Sequence, residues 1–179
     1  PRSTLFPYTT LFRSVAPSYP AGRFPGAFNW TVEWGAAAVL LPWHQYRWTG
    51  DRQELRDHFD MMRRFTDYIQ TEAKDGLAPG GLGDWYDYGH GQPPGPSRFT
   101  PTQLSATATW ALCALTVSRA AEVLGRAEEA RQYRELHGRI AGEFQRHFRD
   151  PATGRLRHLG SPQCRSEERR VGKECRSRW

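Results

Sequence analysis

Two short stretches carry the residue types that could do chemistry. Glu33-Trp34-Gly35 pairs a carboxylate with an indole, and Gly83-Asp84-Trp85-Tyr86-Asp87-Tyr88 sets two carboxylates among three aromatic rings. An indole or phenol face stacks on the apolar C–H face of a sugar ring, while a neighbouring carboxylate accepts from its hydroxyls. Acid–aromatic pairs of this kind are therefore suited to carbohydrate binding. The second stretch lies in a loop of about 25 residues, 76–100, and loops of that length in a domain are usually functional or disordered. Disordered segments are poor in aromatics, so an ordered loop is expected. The competing reading of the same residues is that Trp85, Tyr86, Asp87 and Tyr88 brace the loop against the core. Glu33 has its own structural alternative, as a favourable charge in a first helical turn. Asp84 is the stronger candidate, because the flanking glycines allow close approach to a ligand.

No other motif competes. There is no HExxH, no G-x-S-x-G and no glycine-rich phosphate loop. His90 lies among loop glycines within reach of a ligand, His44 reads as a hydrogen-bonded core residue, and His137 and His147 as solvated. The three cysteines, Cys113, Cys164 and Cys175, have no C-x-x-C spacing, so neither a zinc site nor a disulfide framework is indicated, and no cofactor is expected. Cys113 reads as a small buried residue. No run approaches the ~18 apolar residues of a membrane span.

The two ends of the chain behave differently from its middle. Thr4–Ser14, TLFPYTTLFRS, and Arg165–Cys175, RSEERRVGKEC, are encoded by opposite strands of one DNA segment when suitable codons are chosen. That segment resembles a sequencing adapter. Residues 1–14 and 165–179 are therefore expected to be translated scars, with 15–164 as the native insert. The formal net charge of +6 then loses its meaning. The flanks hold eight of the 25 basic and three of the 19 acidic residues, which leaves 17 against 16. A basic pI would ordinarily point to nucleic acid, but here it comes from the flanks, and nucleic acid is not an expected partner.

The elements that must position the two motifs are helical. Residues 33–48, EWGAAAVLLPWHQYRW, are apolar almost all round and predict a buried helix, ended or kinked at Pro42. Gly50 is placed to stop it, and Asp51 with Glu54 to form a reciprocal cap for the next helix. That helix, to about Ala73, carries Leu55, Phe59, Met62, Phe65 and Ile69 in one stripe. After the long loop, Thr100-Pro101 predicts a cap and first helical residue, with a helix to Leu124 packed through Leu104, Ala108, Ala111, Leu112, Leu115 and Val117. Gly125 ends it, and a last helix over 127–148 uses Tyr133, Leu136, Ile140, Phe144 and Phe148. Only 156–159 offers a short strand-like piece, and 15–31 reads as an ordered surface loop. The fold class is all-α: two helical hairpins, forming part of an α/α toroid in which connecting loops converge at one end and line a cleft.

These residues also carry a resemblance. EWGAAAVLLPWHQYRWTGD, GLGDWYDYG, FTPTQLSATATWAL and AAEVLGRAEEARQYRELHGRIAGEFQRHF occur in an order that resembles bacterial α-L-rhamnosidases of glycoside hydrolase family 78, over nearly all of 15–164. The GDW and TPxxLxATA elements are fairly specific, whereas the closing helix pattern is common to many α/α proteins. The resemblance implies an (α/α)6 barrel of which this chain is about a third. It also implies inverting hydrolysis of terminal α-L-rhamnose by a general acid and a general base. It places Asp84, Trp85 and Trp34, with Glu33 as a partner, among rhamnose-binding residues, with Asp87 and Tyr88 beside them. The catalytic acid is expected upstream of Val15 and the base downstream of Cys164, so no catalytic residue is assigned here. Many family members carry Asp after Trp-Gly, where this chain has Ala36. The expected ligand is a rhamnose-containing glycoside or oligosaccharide. The alternatives are a non-catalytic helical repeat or carbohydrate-binding scaffold, and the same toroid acting on a different sugar.

Overall fold

The computed structural model describes residues 31–88 and 93–157. The proposed terminal scars, the 15–30 loop, His90, Cys164 and Cys175 lie outside the described residues.

Thr31 opens the first helix, α1 (Val32–Gly35), from an extended backbone, and its hydroxyl accepts the Trp34 amide at 3.1 Å. A side-chain oxygen at this position satisfies one of the donors that a helix start leaves orphaned. The helix lasts one turn. Ala36 interrupts it, and its carbonyl then accepts the amides of Val39 and Leu40 at 2.9 and 2.8 Å, which starts α2 (Ala37–Thr49). The expected single helix is thus broken at Ala36, not at Pro42. Pro42 is carried inside α2 with its ring buried. The expectation of a buried helix also fails: of α2 only Val39 and Pro42 are buried, while Leu41 is 66% and Trp48 82% exposed. An all-round apolar composition reports what a helix could bury, and among the described residues α2 meets neighbours on one side alone. His44, expected in the core, is exposed and faces the Trp48 ring at 6.1 Å.

Gly50 stops α2 in the left-handed region, φ 74°, with its amide on the Tyr46 carbonyl at 2.7 Å. Asp51 caps α3 (Arg52–Glu72) by accepting the Gln53 amide at 2.8 Å. The reciprocal partner is Thr49 rather than Glu54: the Asp51 amide donates to Thr49 Oγ1 at 3.1 Å. The α3 stripe is buried as its spacing predicts, and Thr66 joins it.

Helix α4 (Thr102–Val123) is the hub. It packs against α1, α2, α3 and α5, and its small residues, Ala106, Ala108, Ala111, Ala114, Ala120 and Ala121, let those neighbours approach closely. The predicted stripe only partly describes its burial: Leu112 and Leu115 are half-buried, whereas Ser105, Thr107, Thr109, Thr116 and Ser118 are buried, because neighbours enclose the helix on most sides. Two of these hydroxyls tie α4 to its surroundings: Thr107 Oγ1 accepts the Ala78 amide at 3.1 Å, and Ser118 donates to the Ala130 carbonyl at 2.7 Å. The cap differs from expectation, since Pro101 occupies the cap position itself and makes no side-chain cap bond.

Gly125, at φ 73°, turns the chain into α5 (Ala127–Phe148), whose predicted stripe packs on α4 together with Ala130, His137 and Ala141. His137 is therefore buried rather than solvated, with Nδ1 3.0 Å from the Ala111 carbonyl. His147 is half-buried, 3.7 Å from Glu143. Burial pushes the Cys113 thiol well above its ordinary range, as expected for a small core residue. In place of a strand there is one isolated bridge, Arg149 to Leu156, with 158–159 outside the described residues. The described residues form an all-helical pair of hairpins, α2–α3 and α4–α5. None of these helices is long and apolar enough to cross a membrane.

Candidate functional site

Both motifs meet at the N-terminal end of α4. Glu33, in the first turn of α1, accepts the Ser105 hydroxyl of α4 on Oε1 at 2.6 Å. Its other oxygen, Oε2, is buried with no hydrogen-bond partner among the described residues and lies against Gly81, where an added Cβ would overlap it. An added Cβ at Gly80 would overlap Thr102 Oγ1, and one at Gly83 would overlap Ser97 Oγ and approach the Thr102 Cα at 3.3 Å. The Gly-Gly-Leu-Gly run thus lets the loop lie directly on the start of α4 and on Glu33. Gly83 also has φ 67°, a conformation that a Cβ disfavours. Leu82 between them is buried, and its carbonyl accepts the Ser97 amide at 2.9 Å, pinning the two ends of the loop together.

Above this base the loop turns tightly, with the Asp87 amide on the Asp84 carbonyl at 3.1 Å. Tyr86 takes φ 65°, an uncommon conformation for a residue with a side chain. Its amide bonds to the Gly95 carbonyl at 3.0 Å, and its ring meets Tyr88 edge-on at 5.2 Å. Tyr88 donates to the Pro93 carbonyl at 2.7 Å, and the Arg98 guanidinium lies 4.0 Å from its ring centre.

Asp87 closes the loop. Its Oδ1 accepts the Arg98 amide at 2.8 Å, and its Oδ2 accepts Phe99 and Thr100 at 2.9 and 2.7 Å. The Thr100 side chain is also hydrogen-bonded to Asp87, which engages the group that a Thr100 cap of α4 would use. Burial opposes ionisation of Asp87, but the three amides outweigh it and hold the carboxyl below the usual aspartate range.

The six residues singled out from sequence therefore separate. Asp84 is half-buried, and no described residue makes a hydrogen bond to its carboxylate; beside it Trp85 is 40% exposed. Trp34 is 42% exposed, one residue beyond Glu33. Those three present surface. Asp87 and Tyr88 are occupied within the loop, and Glu33 is occupied beneath it. Ala36, in the position noted for its missing carboxylate, is buried at the junction of α1 and α2. Sequence reasoning missed Ser105, Gly81 and Ser97, whose only signal was small size close to a motif. Among the described residues no group of His, Cys, Asp or Glu could hold a metal ion.

Comparison with known proteins supplies the context. The family model described as the bacterial alpha-L-rhamnosidase 6 hairpin glycosidase domain matches residues 8–164. An α-L-rhamnosidase of Alteromonas sp. (strain LOR) is 32% identical over 126 residues, 68% of this chain and 14% of that protein. The crystal structure of Streptomyces avermitilis α-L-rhamnosidase complexed with L-rhamnose superposes with a TM-score of 0.62 at 29% identity, covering 75% of this chain and 12% of that one. Native α-L-rhamnosidase from Aspergillus terreus gives a TM-score of 0.66 at 22% identity, over 86% of this chain and 19% of that one, a likeness of fold alone. The two hairpins are thus part of an α/α barrel, and the chain spans about a seventh of the curated relative's length. The chain belongs to the bacterial α-L-rhamnosidase six-hairpin glycosidase family.

Proposed function

We infer that this chain is a segment of an inverting glycoside hydrolase that releases terminal α-L-rhamnose from glycosides, and that it carries one wall of the rhamnose subsite. Trp34 and Trp85 offer exposed indole faces for the sugar ring, and Asp84 accepts from its hydroxyls. Asp87 and Tyr88 hold the loop that presents them. The observation that carries this reading is the contrast between two carboxylates in one turn. Asp87 is saturated by three backbone amides, whereas Asp84, beside exposed Trp85, has no such partner among the described residues.

Inverting hydrolysis needs one carboxyl to protonate the leaving oxygen and another to activate water. By the family resemblance those groups belong to parts of the parent enzyme flanking 15–164, which agrees with a chain spanning 14% of its relative. The segment alone is therefore inactive. The test is an aryl α-L-rhamnoside assay of the purified chain together with tryptophan-fluorescence titration with L-rhamnose. No turnover with a saturable response to L-rhamnose supports the reading. Turnover that disappears in Asp84→Ala would overturn the inactive-segment part, and no response to L-rhamnose would overturn the subsite part.

A further inference from the structure

We propose that Glu33 is a positioning residue, a strut that sets the distance between the Trp34 wall and the 80–84 loop, and does not itself bind sugar. The proposal rests on the reading of this surface as a sugar subsite. Both oxygens of Glu33 are turned inward. Oε1 is held by Ser105 at 2.6 Å, and Oε2 is buried against Gly81. A ligand hydroxyl would have to displace the loop to reach either oxygen.

The contacts form one layer. Ser105 and Thr102, a single helical turn apart on α4, touch Glu33 and Gly80 respectively, and Gly81 covers Glu33. On one side of that layer Trp34 follows Glu33 directly, with its amide fixed by Thr31 at 3.1 Å. On the other, Gly81 leads within three residues to Asp84. The Glu33 carboxylate is the spacer between them, so its length and volume set the separation of the two indole walls. Its charge is not what the site uses. A buried carboxylate oxygen without a donor is costly to keep, and a role in spacing gives a reason for its retention.

The decisive experiment is a rescue on the full chain. Gly81 does not lie in the left-handed region, so Gly81→Ala acts through the overlap of its methyl with Glu33 Oε2. Thermal midpoint and L-rhamnose affinity are measured for wild type, Gly81→Ala, Glu33→Asp, the double variant and Glu33→Gln. A strut predicts that Gly81→Ala lowers the midpoint and weakens binding about tenfold, as overpacking does. The shorter Glu33→Asp should restore both values in the double variant. Glu33→Gln, which keeps length and volume, should bind L-rhamnose within about twofold of wild type. Additive effects of Gly81→Ala and Glu33→Asp on the midpoint would overturn the proposal. So would loss of binding in Glu33→Gln at an unchanged midpoint, the signature of a direct ligand. Absence of any L-rhamnose response in wild type would sink the subsite reading instead, and coupling of the midpoints would still decide whether Glu33 and Gly81 act as one unit.

Discussion

Asp84 and Asp87 are joined by a backbone hydrogen bond of 3.1 Å, yet their carboxylates have opposite environments. One turn of chain separates an acid used entirely by its own loop from one that no described residue engages. The difference comes from where the chain returns. Residues 98–100 pass back across the loop with three consecutive amides directed at Asp87, and among the described residues no amide is directed at the Asp84 carboxylate. Sequence ranks Asp84 ahead of Asp87 on its flanking glycines; the path of a segment more than ten residues away supplies the donors that separate them.

The latch at Asp87 makes the loop acid-sensitive. A carboxyl held below its ordinary 3.8 contributes stability that is present above that value and lost as pH falls through the folded one. Near-UV circular dichroism of the tryptophans and tyrosines is expected to be flat from neutrality to about pH 4 and to change below it. Asp87→Ala should lower stability by about 1–2 kcal/mol at neutral pH and remove that component of the acid response. An unchanged acid titration in the variant would show that the latch is not responsible.

Exposed Trp85 and the open Asp84 carboxylate should govern ligand affinity without supporting the fold. Trp85→Ala is expected to weaken L-rhamnose binding by at least about tenfold, on the scale of an aromatic stacking contact, and to leave the thermal midpoint within a degree or two. Asp84→Asn should behave likewise. Matching losses of midpoint and affinity would identify both as loop-packing residues instead.

Tyr133 makes a second, part-buried acid–hydroxyl contact, away from the site. Its hydroxyl donates to Asp67 Oδ1 at 2.6 Å, linking α5 to α3, and burial followed by that hydrogen bond pushes the phenol far above its ordinary range. Tyr133→Phe should cost about 1 kcal/mol, read by urea denaturation, with no effect on L-rhamnose binding. Asp67 keeps its ion pair with Arg63 at 3.3 Å, which limits the loss.

Cys113 sits on the inner face of α4, and its burial suppresses the thiolate that alkylating reagents attack. Mass spectrometry of tryptic peptides should show Cys113 unlabelled after iodoacetamide treatment of the native chain and labelled after denaturation. Rapid native labelling would mean that α4 is not enclosed as described.

Ala37, Leu41, His44 and Trp48 share one exposed face of α2. A contiguous apolar face of this kind favours association. The isolated chain is expected to self-associate as concentration rises, and Leu41→Lys with Trp48→Lys to reduce the apparent mass in light scattering at constant thermal midpoint. Concentration-dependent association that persists in the double variant would assign it to another surface.

The sequence alone determined the three long helices and the contact stripes of α3 and α5. The amphipathic pattern of α3 and α5, the stops at Gly50 and Gly125 and the Asp51 cap are local, governed by residues within a turn or two of one another. It also picked out the Gly-Asp-Trp loop and the acid–Trp pair at Glu33, since those signals lie in residue type. What it could not determine depends on distant neighbours. Helix α2 looks buried by composition but meets partners on one side; His44 and His137 exchange their expected environments for the same reason. The Thr100 side chain, expected to cap α4, is hydrogen-bonded to Asp87 instead. Only tertiary structure supplied the three amides that occupy Asp87 and turned Glu33 inward onto Ser105 and Gly81. A carboxylate's role is fixed by which donors surround its two oxygens, and here those donors come from chain as far as 72 residues away.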